Sequence, residues 1–363
     1  MVLHSLSLTK FRNYDRRMLE FPAPGLFITG ANGCGKTNLL EAVAYLSSGK
    51  SIRLKPDSEL VRFGQEFFRL SGEVEYSGSR HTIEVACDTN HIKTISIDSV
   101  QIDRLSELYR GFKTVYSAPG DVEIVTGSPG ERRRFFDLAI AQHDVTYLDY
   151  LRRYRQVLKQ RNQLLKERFN RAEKEAWDNS FVEATLPVIE KRLSYLDEFR
   201  PVLREYYRDI SGEKEELQVE YKFEIPTSSG EKFQESYLKA ITTSEDRERE
   251  QCRTLFGPHL ADWDFLLDGK RVRSFASQGQ NRSIAIALRL VQAEMVKRST
   301  GESPVLMLDD VLAELDASRR SNILNMLHGQ HQVLIAAPDI GDYRDFNLPV
   351  LNLTDKPERG SVL

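Results

Sequence analysis

Hydrophobic and polar positions follow two repeating patterns near both ends of the chain. Short continuous apolar runs predict buried strands over residues 25–29, 304–308 and 332–337. Apolar positions that recur every three or four residues predict helices over residues 38–46, 281–298 and 318–327. Strands that alternate with helices in this way are typical of an α/β domain, and here both chain ends contribute to it.

Other strands are predicted from alternation and β-branched composition. Residues 1–10 alternate between apolar and polar side chains, as in an edge or outer strand. Residues 67–76, 81–87 and 92–97 are rich in Val, Ile, Phe and Thr at close spacing, which predicts an antiparallel meander. Residues 114–117 are a further candidate strand.

The middle of the chain has a different character. From residue 131 to about 213 the sequence is highly charged and reads as helical, including a helical hairpin, before strand patterns return near residue 304. We therefore predict an α/β ATPase lobe from residues 1–117 and 300–363. A mainly helical lobe, residues 118–299, is inserted between them.

Charge patterning limits how the chain could bind nucleic acid. The formal net charge is −3, so any such contact must come from a local patch. Between Arg152 and Arg168 seven cations accompany a single acid, Glu167. The general explanation of such a run is a solvated helix face. The functional alternative is a DNA contact, for which the candidates are Arg152, Arg153 and Arg161.

Length and composition narrow the class of protein. A chain of 363 residues is long enough for two sizeable cores. No stretch approaches the ~18 uninterrupted apolar residues of a membrane span, and charged residues interrupt the N-terminal segment. Cys34, Cys87 and Cys252 lie far apart without metal-ligand spacing. We expect reduced cysteines, a cytoplasmic location and no membrane association.

The most specific motif is Gly30-Ala31-Asn32-Gly33-Cys34-Gly35-Lys36-Thr37, which satisfies the pattern G-x-x-x-x-G-K-[ST]. It stands between a predicted strand and a predicted helix, as a phosphate-binding loop requires. The glycines let backbone N–H groups turn towards a phosphate, and the helix start adds partial positive charge. We expect Lys36 to contact the β- and γ-phosphates of ATP and Thr37 to bind Mg²⁺.

A second motif ends the predicted strand at residues 305–308. Asp309 and Asp310 follow it directly, so a buried strand would deliver both carboxylates to the sheet edge beside the phosphate loop. We expect Asp309 to hold Mg²⁺ opposite Thr37 and Asp310 to polarise the attacking water. An apolar strand with a polar end is common, so the motif gains its meaning from the phosphate loop.

The stretch Ser277-Gln278-Gly279-Gln280 precedes the predicted helix that begins near residue 281. Serine and glycine at a helix N-terminus can form an anion site, and they can equally be an ordinary N-cap. The residues alone leave both interpretations open.

Together these motifs resemble the ABC-type ATPases, and more closely the RecF family of bacterial recombination mediators. Ser277 to Gln280 match the Ser-Gly-Gly-Gln signature of ABC enzymes except at Gln278, and Glu314-Leu315-Asp316 resembles the D-loop. The matching pieces are residues 11–14, 30–42 with 49–51, 127–137, and 277–280 with 308–316.

The resemblance implies a fold and an activity. It implies an ABC-type head in which ATP and Mg²⁺ lie between two subunits, with Arg12 near the nucleotide and the signature residues Ser277, Gln278, Gly279 and Gln280 acting in trans. It also implies an ATP-dependent homodimer that hydrolyses ATP slowly in a DNA-dependent way, binds double-stranded DNA near single-strand gaps, and assists RecA loading with RecR and RecO.

Several positions depart from the family pattern. Gly120 replaces an expected acid, Leu260 and Ala261 replace an arginine and an acid, and Ala336 and Ala337 replace threonines.

Two other classes compete with this interpretation. An ABC transporter cassette would carry a glutamine after the strand at 114–117, which is absent here. A small-molecule kinase would not need Ser277, Gly279 or Asp316.

Overall fold

A computed structural model describes residues 1–53, 56–167, 170–223, 233–339, 341 and 347–353. Arg168 of the basic run lies outside these residues. The described chain divides into two compact units. The first contains the described residues within 1–122, 206–214 and 277–353, and the second those within 123–205 and 215–276.

Both chain ends contribute to the first unit, as the sequence predicts. Its C-terminal part begins at residue 277, whereas the predicted boundary is residue 300. The added segment belongs to helix α10 (Gln278–Thr300), which packs along strand β8 (Thr114–Ser117). Two hydrogen bonds from Arg289 of α10 to Asp121 after β8, at 2.5 and 3.0 Å, fix the same helix.

An antiparallel sheet forms one layer of this unit. Its strand order is β2-β1-β4-β5-β6-β7. The strands are β1 (Val2–Phe11), β2 (Tyr14–Glu20), β4 (Phe67–Tyr76), β5 (Ser79–Asp88), β6 (Lys93–Ile97) and β7 (Val100–Gln101). The predicted meander is confirmed. The sequence predicts an edge or outer strand at residues 1–10; β1 lies next to the edge but is not the edge strand itself, because it pairs with β2 on one side and β4 on the other.

A parallel sheet of order β14-β3-β13-β12-β8 forms the second layer. Its remaining strands are β3 (Gly25–Thr29), β12 (Val305–Asp309), β13 (Val333–Ala336) and β14 (Val350–Asn352). Every residue of β3, β12 and β13 is buried, which explains their continuous apolar sequence. Helices α1 (Lys36–Ser48), α2 (Leu105–Leu108) and α11 (Ala317–Leu327) complete this unit.

The second unit is mainly helical, and α3 (Val122–Thr126) leads into it. Its helices are α4 (Pro129–His143), α5 (Thr146–Leu164), α6 (Arg171–Ser211, whose last residues belong to the first unit), α7 (Phe233–Thr243), α8 (Glu245–Gln251) and α9 (Val272–Phe275). A small antiparallel sheet has the order β11-β10-β9, with β9 (Leu217–Lys222), β10 (Asp262–Leu267) and β11 (Lys270–Arg271).

Buried ion pairs hold the second unit together. Arg132 donates from Nε to Asp262 at 2.6 Å, and Arg192 donates to Asp137 at 2.8 Å. Both arginines are buried, so these carboxylates supply the partners that a charge needs away from water. The motif residues Arg132 and Asp137 therefore have structural roles. None of the described helices is long and apolar enough to cross a membrane.

Candidate nucleotide-binding site

The phosphate loop, residues 30–35, connects β3 to α1, and glycine is required at two of its positions. Gly30 and Gly35 have φ angles of 145° and 114°, which side chains rarely adopt. A Cβ on Gly30 would lie 2.4 Å from the carbonyl oxygen of Leu353, and one on Gly35 would lie 2.6 Å from Nδ2 of Asn13. The backbone of the loop is thus tightly enclosed at Gly30 and Gly35.

The turn between β1 and β2 holds this loop from one side. Asn13 donates from Nδ2 to the carbonyl oxygen of Cys34 at 3.1 Å, and the Tyr14 hydroxyl donates to that of Gly35 at 3.1 Å. Asn38 of α1 donates to Oδ1 of Asn13 at 2.8 Å. These bonds engage the carbonyl groups of Cys34 and Gly35 and fix that side of the loop.

Lys36 begins α1 and is curled over the loop. Its Nζ donates to the carbonyl oxygens of Gly30 at 2.7 Å and Ala31 at 3.2 Å. The side chain is buried, whereas Ala31, Asn32 and Gly33 form the exposed rim. Thr37 follows at the same helix start and is half-buried. The ammonium is therefore positioned where a phosphate on the loop would meet it.

Arg12 lies beside α1 and has a buried partner. Its Nε donates to Oε2 of Glu41 at 2.9 Å, and its Nη1 donates to the carbonyl oxygen of Glu59 at 3.1 Å. Glu41 is fully buried and also accepts from Ser51 at 2.6 Å. Sequence reasoning did not identify Glu41, although an acid on the apolar helix after the loop could have been a signal. Its role is to fix Arg12 close to the loop.

Asp309 ends β12 and is almost completely buried. Its Oδ2 accepts a hydrogen bond of 2.7 Å from the Tyr116 hydroxyl on β8. Burial, and then the Asp309 charge, raise the pKa of Tyr116 far above its ordinary value, so the hydroxyl remains a donor. Sequence reasoning missed Tyr116, because only the parallel pairing of β8 with β12 brings it to this carboxylate.

Asp310 leaves the strand with an unusual backbone. Its φ is 57°, in the left-handed region, and its N–H donates to the carbonyl oxygen of Ala336 at 2.9 Å. Its Oδ1 is buried without a hydrogen-bond partner. Burial, followed by the charge of Asp309, raises the pKa of Asp310, and Lys36 opposes that shift. The parallel registers of β3, β13 and β12 place the loop and the paired carboxylates at the same edge of the sheet.

A small pocket adjoins Asp310 within the first unit. It is lined by Ser117 at the end of β8, by Pro119 after that strand, by Arg282 of α10 and by Glu314 beyond Asp310. Arg282 and Glu314 form an ion pair across it.

Gly120, next to Pro119, has no atom within 4 Å of an added Cβ, so nothing local requires a glycine there. Ala337 is buried and donates its N–H to the carbonyl oxygen of Ile28.

Ser277 and Gln280 form a capping box at the start of α10. Ser277 Oγ accepts from the N–H of Gln280 at 3.2 Å, and Gln280 Oε1 accepts from the N–H of Ser277 at 2.7 Å. Ser277 and Gln278 are exposed, and Gly279 is half-exposed. The N-cap interpretation is therefore correct as local structure, and the exposed helix start keeps its capacity to bind an anion.

Asp316 caps the next helix, α11. Its Oδ1 accepts from the N–H of Arg319 at 2.9 Å, and its side chain remains mostly exposed. An exposed acid at this position is accessible to a second subunit.

The donor set fits Mg²⁺. This ion usually takes one or two protein oxygens and completes its shell with phosphate and water. Asp309, oriented by Tyr116, and the Thr37 hydroxyl are such a set. No group of three or more metal-ligating side chains occurs among the described residues.

The three DNA-contact candidates lie on α5 and differ in exposure. Arg152 and Arg153 are mostly exposed; Arg152 donates to Asp149 at 2.9 Å, and Arg153 lies 3.6 Å from Glu183. The structure corrects the prediction for Arg161, whose side chain is 1% exposed. It donates to Asp178 at 2.9 Å, Thr254 at 2.7 Å and Glu248 at 2.6 Å. These bonds make Arg161 inaccessible to a phosphate.

The first unit combines an antiparallel sheet with a parallel sheet that carries the phosphate loop after β3. This architecture is that of an ABC-type ATPase head. Residues 2–344 match the family model described as RecF/RecN/SMC N terminal domain. Within that group the chain belongs to the RecF family.

Curated relatives carry the same description. The DNA replication and repair protein RecF of Agathobacter rectalis is 35% identical over 339 residues, which cover 92% of this chain and 91% of the relative. That of Natranaerobius thermophilus is 34% identical over 357 residues, covering 94% and 92%.

Solved structures agree. The recombination mediator protein RecF with ATP, in the RecFOR pathway, superposes with a TM-score of 0.86 at 32% identity, covering 93% of this chain and 92% of that one. An Smc head domain from Pyrococcus furiosus has a TM-score of 0.55 at 14% identity, covering 96% and 92%, and shares the fold alone.

Proposed function

We propose that the protein is an ATP-dependent switch of recombinational repair, which binds ATP with Mg²⁺, dimerises around it and holds DNA. The observation that carries this proposal is the parallel pairing of β3, β13 and β12, which brings the phosphate loop, Asp309 and Asp310 to one edge of the sheet. The shared fold and family with RecF support it.

The chain's own residues have distinct roles towards the nucleotide. Backbone N–H groups of residues 31–36 cradle the phosphates, and Lys36 exchanges its loop carbonyls for phosphate oxygens. Asp309 and Thr37 hold Mg²⁺, which would neutralise developing phosphate charge. Arg12, fixed by Glu41, stands at the flank of the same loop.

Asp310 orients the attacking water. Its free Oδ1 is the acceptor for that water, and its raised pKa makes it a better proton acceptor than an ordinary aspartate. Asp310 is one methylene shorter than the glutamate usual in ABC enzymes, so we expect slow hydrolysis. A slow rate suits a switch that holds DNA, rather than a motor that moves along it.

One chain carries one phosphate loop and one exposed Ser277 helix start. In ABC-type sites the serine and glycine of the signature approach the γ-phosphate of the partner's ATP. We therefore expect ATP to bind monomers weakly and to lock dimers, with Ser277, Gly279 and Asp316 contributed in trans.

Sizing by light scattering with and without ATP tests these roles. Lys36→Arg keeps the charge but replaces a compact ammonium with a planar guanidinium, and we expect it to lose dimerisation or hydrolysis. Ser277→Arg should block the partner's phosphate while the monomer still binds ATP. Asp310→Asn should retain ATP and Mg²⁺ through Asp309, so its dimer should persist without turnover.

The control is Ser277→Thr, which keeps the capping hydroxyl and should dimerise normally. Circular dichroism of each variant would exclude loss of fold. If Asp310→Asn remained monomeric while Ser277→Arg dimerised, the assignment of these residues would be wrong.

We further propose that the dimer binds double-stranded DNA near single-strand gaps and assists RecA loading with RecR and RecO. The partners are proposed from the family. The DNA contacts are expected mostly to phosphates, from exposed cations such as Arg152 and Arg153, because the net charge of −3 gives no general attraction.

Titration of gapped and intact duplex with and without ATP tests the DNA proposal. Log affinity should fall linearly with log salt, with a slope of about −0.9 per phosphate neutralised. Reversal of Arg152 and Arg153 to Glu should reduce the slope, whereas Arg200→Glu, elsewhere in the second unit, should not. A DNA affinity that does not change with salt concentration would contradict phosphate contact.

A further inference from the structure

An aromatic side chain stands at the tip of a tight turn in the first unit. The N–H of Gln65 donates to the carbonyl oxygen of Arg62 at 3.0 Å, which closes a β-turn with Phe63 and Gly64 at its centre. Gly64 has a φ of 77°, as the third residue of a type II turn requires. Phe63 is fully exposed, so its ring is not part of a core and gains no stabilisation from burial.

The turn is held against the end of β1. The N–H of Arg62 donates to the carbonyl oxygen of Lys10 at 2.8 Å, and Phe11 bridges to Val61. The Arg62 side chain pairs with Asp15 at 2.6 Å. The position of Phe63 is therefore set by backbone bonds and an ion pair, so it is presented on a fixed support.

Cations surround this turn on the exposed face of the antiparallel sheet. Thr9 of β1 lies between Arg16 of β2 and Arg69 of β4 in register, and both arginines are exposed. Lys10 places its Nζ 4.8 Å from the ring centre of Phe67, itself 41% exposed. We call Lys10, Arg16, Arg62, Phe63, Phe67 and Arg69 the turn patch.

The turn patch is positive in a protein that is negative overall. It holds four cations, and the carboxylates beside it are Asp15, Glu66 and Asp88, which pairs with Phe67 in register. The local balance is +1 (four cations minus three acids), against −3 for the chain. An anionic partner is therefore the complementary one.

The aromatic component identifies the anion more closely. Exposed aromatic rings combined with arginine and lysine bind unpaired bases, because each base offers a face for stacking while the cations follow the phosphates. A continuous duplex keeps its bases stacked inside, so Phe63 would find no base face there. A duplex end at a gap exposes one.

We propose that the turn patch recognises the junction between duplex and single-stranded DNA, with Phe63 stacking on the first unpaired base and Arg16 and Arg69 on the adjacent phosphates. This inference rests on the proposed DNA-binding function and adds to it a site for gap preference.

Competition between a tailed duplex and a blunt duplex of equal length, measured with ATP, tests the proposal. Phe63→Ala should lower affinity for the tailed duplex by about 5- to 150-fold, the range for loss of one stacked base. Its affinity for blunt duplex should remain unchanged. Phe63→Trp should restore the preference, since tryptophan also stacks, and Phe63→Leu should not.

Val100→Ala is the matched control, because Val100 is also an exposed apolar residue but lies on β7 at the opposite edge of the sheet. Unchanged preference in Phe63→Ala, with intact DNA binding by the wild type, would overturn the proposal alone. Loss of ATP-dependent dimers with unchanged preference would also overturn it and make the patch a dimer contact. Absence of all DNA binding by the wild type would overturn the proposed DNA function as well.

Discussion

The phosphate loop and helix α5 both carry residues suited to anions, but the structure uses them differently. In the loop, Gly30, Gly35 and Lys36 have the geometry that their sequence pattern predicts. On α5, Arg153 faces solvent whereas Arg161, two turns further on, is enclosed by carboxylates. The loop works through its own backbone, so its function is local. The role of a helical arginine depends on what packs against it.

The largest expected effect concerns Arg161. Arg161→Ala leaves Glu248 buried without its cationic partner, whereas Asp178 keeps Lys174, so we expect a loss of about 3–5 kcal/mol in the free energy of unfolding. Arg153→Ala, on the exposed side of the same helix, should change it by no more than about 0.5 kcal/mol. Urea denaturation of both variants measures the difference. Equal losses would remove the contrast between the two arginines.

A smaller effect is expected in the loop. Gly35→Ala forces a side chain into a φ of 114° and places its Cβ 2.6 Å from Asn13, so the strain should amount to about 1–3 kcal/mol. We expect weaker binding of a fluorescent ATP analogue. Gly120→Ala is the control, because its Cβ meets nothing within 4 Å. Normal ATP affinity in Gly35→Ala would show that the loop is less enclosed than its contacts indicate.

The next prediction concerns Tyr116, which orients Asp309. Tyr116→Phe removes a 2.7 Å hydrogen bond to the proposed Mg²⁺ ligand, and loss of such a supporting partner weakens metal sites by about 10- to 100-fold. We expect the Mg²⁺ concentration for half-maximal ATP hydrolysis to rise about tenfold, the low end of this range. Tyr195→Phe, which removes a buried hydroxyl without a partner, should leave it unchanged. An unchanged Mg²⁺ requirement in Tyr116→Phe would contradict the orienting role.

The smallest expected effect is a pH-dependent gain in the thermal stability of the Asp310→Asn variant. The folded-state pKa of Asp310 is raised, so the folded chain binds more protons than the unfolded chain just above the ordinary value of 3.8. Stability therefore falls as pH rises through that window, and the ionised carboxylate remains destabilising at neutral pH. We expect nucleotide-free Asp310→Asn, in EDTA, to have a slightly higher Tm than wild type at pH 7.

This gain should shrink as the pH falls towards 3.8 and disappear below it, where the wild-type carboxyl is protonated in both states. Asp103→Asn, at an exposed carboxyl of the same unit, should show no such gain. A lower Tm for Asp310→Asn at pH 7 would mean that the carboxylate stabilises the empty site.

The sequence by itself determined the elements that depend on local geometry. The strand, phosphate loop and helix from Gly25 to Ser48 could be predicted because glycine conformations, apolar runs and helix periodicity act over a few residues. The same holds for the pair Asp309 and Asp310, which a buried strand necessarily delivers to a sheet edge. The capping box at Ser277 also lies within four residues.

Only the tertiary structure decided which distant side chains meet. Tyr116 reaches Asp309 because β8 pairs with β12, 193 positions apart in sequence at this bond. Arg161 is buried because Asp178 and Glu248 close around it, although Lys159 and Gln160 just before it on the helix are exposed. The physical reason is that burial and charge pairing depend on packing between elements, and the sequence of one segment does not specify which other segments pack against it.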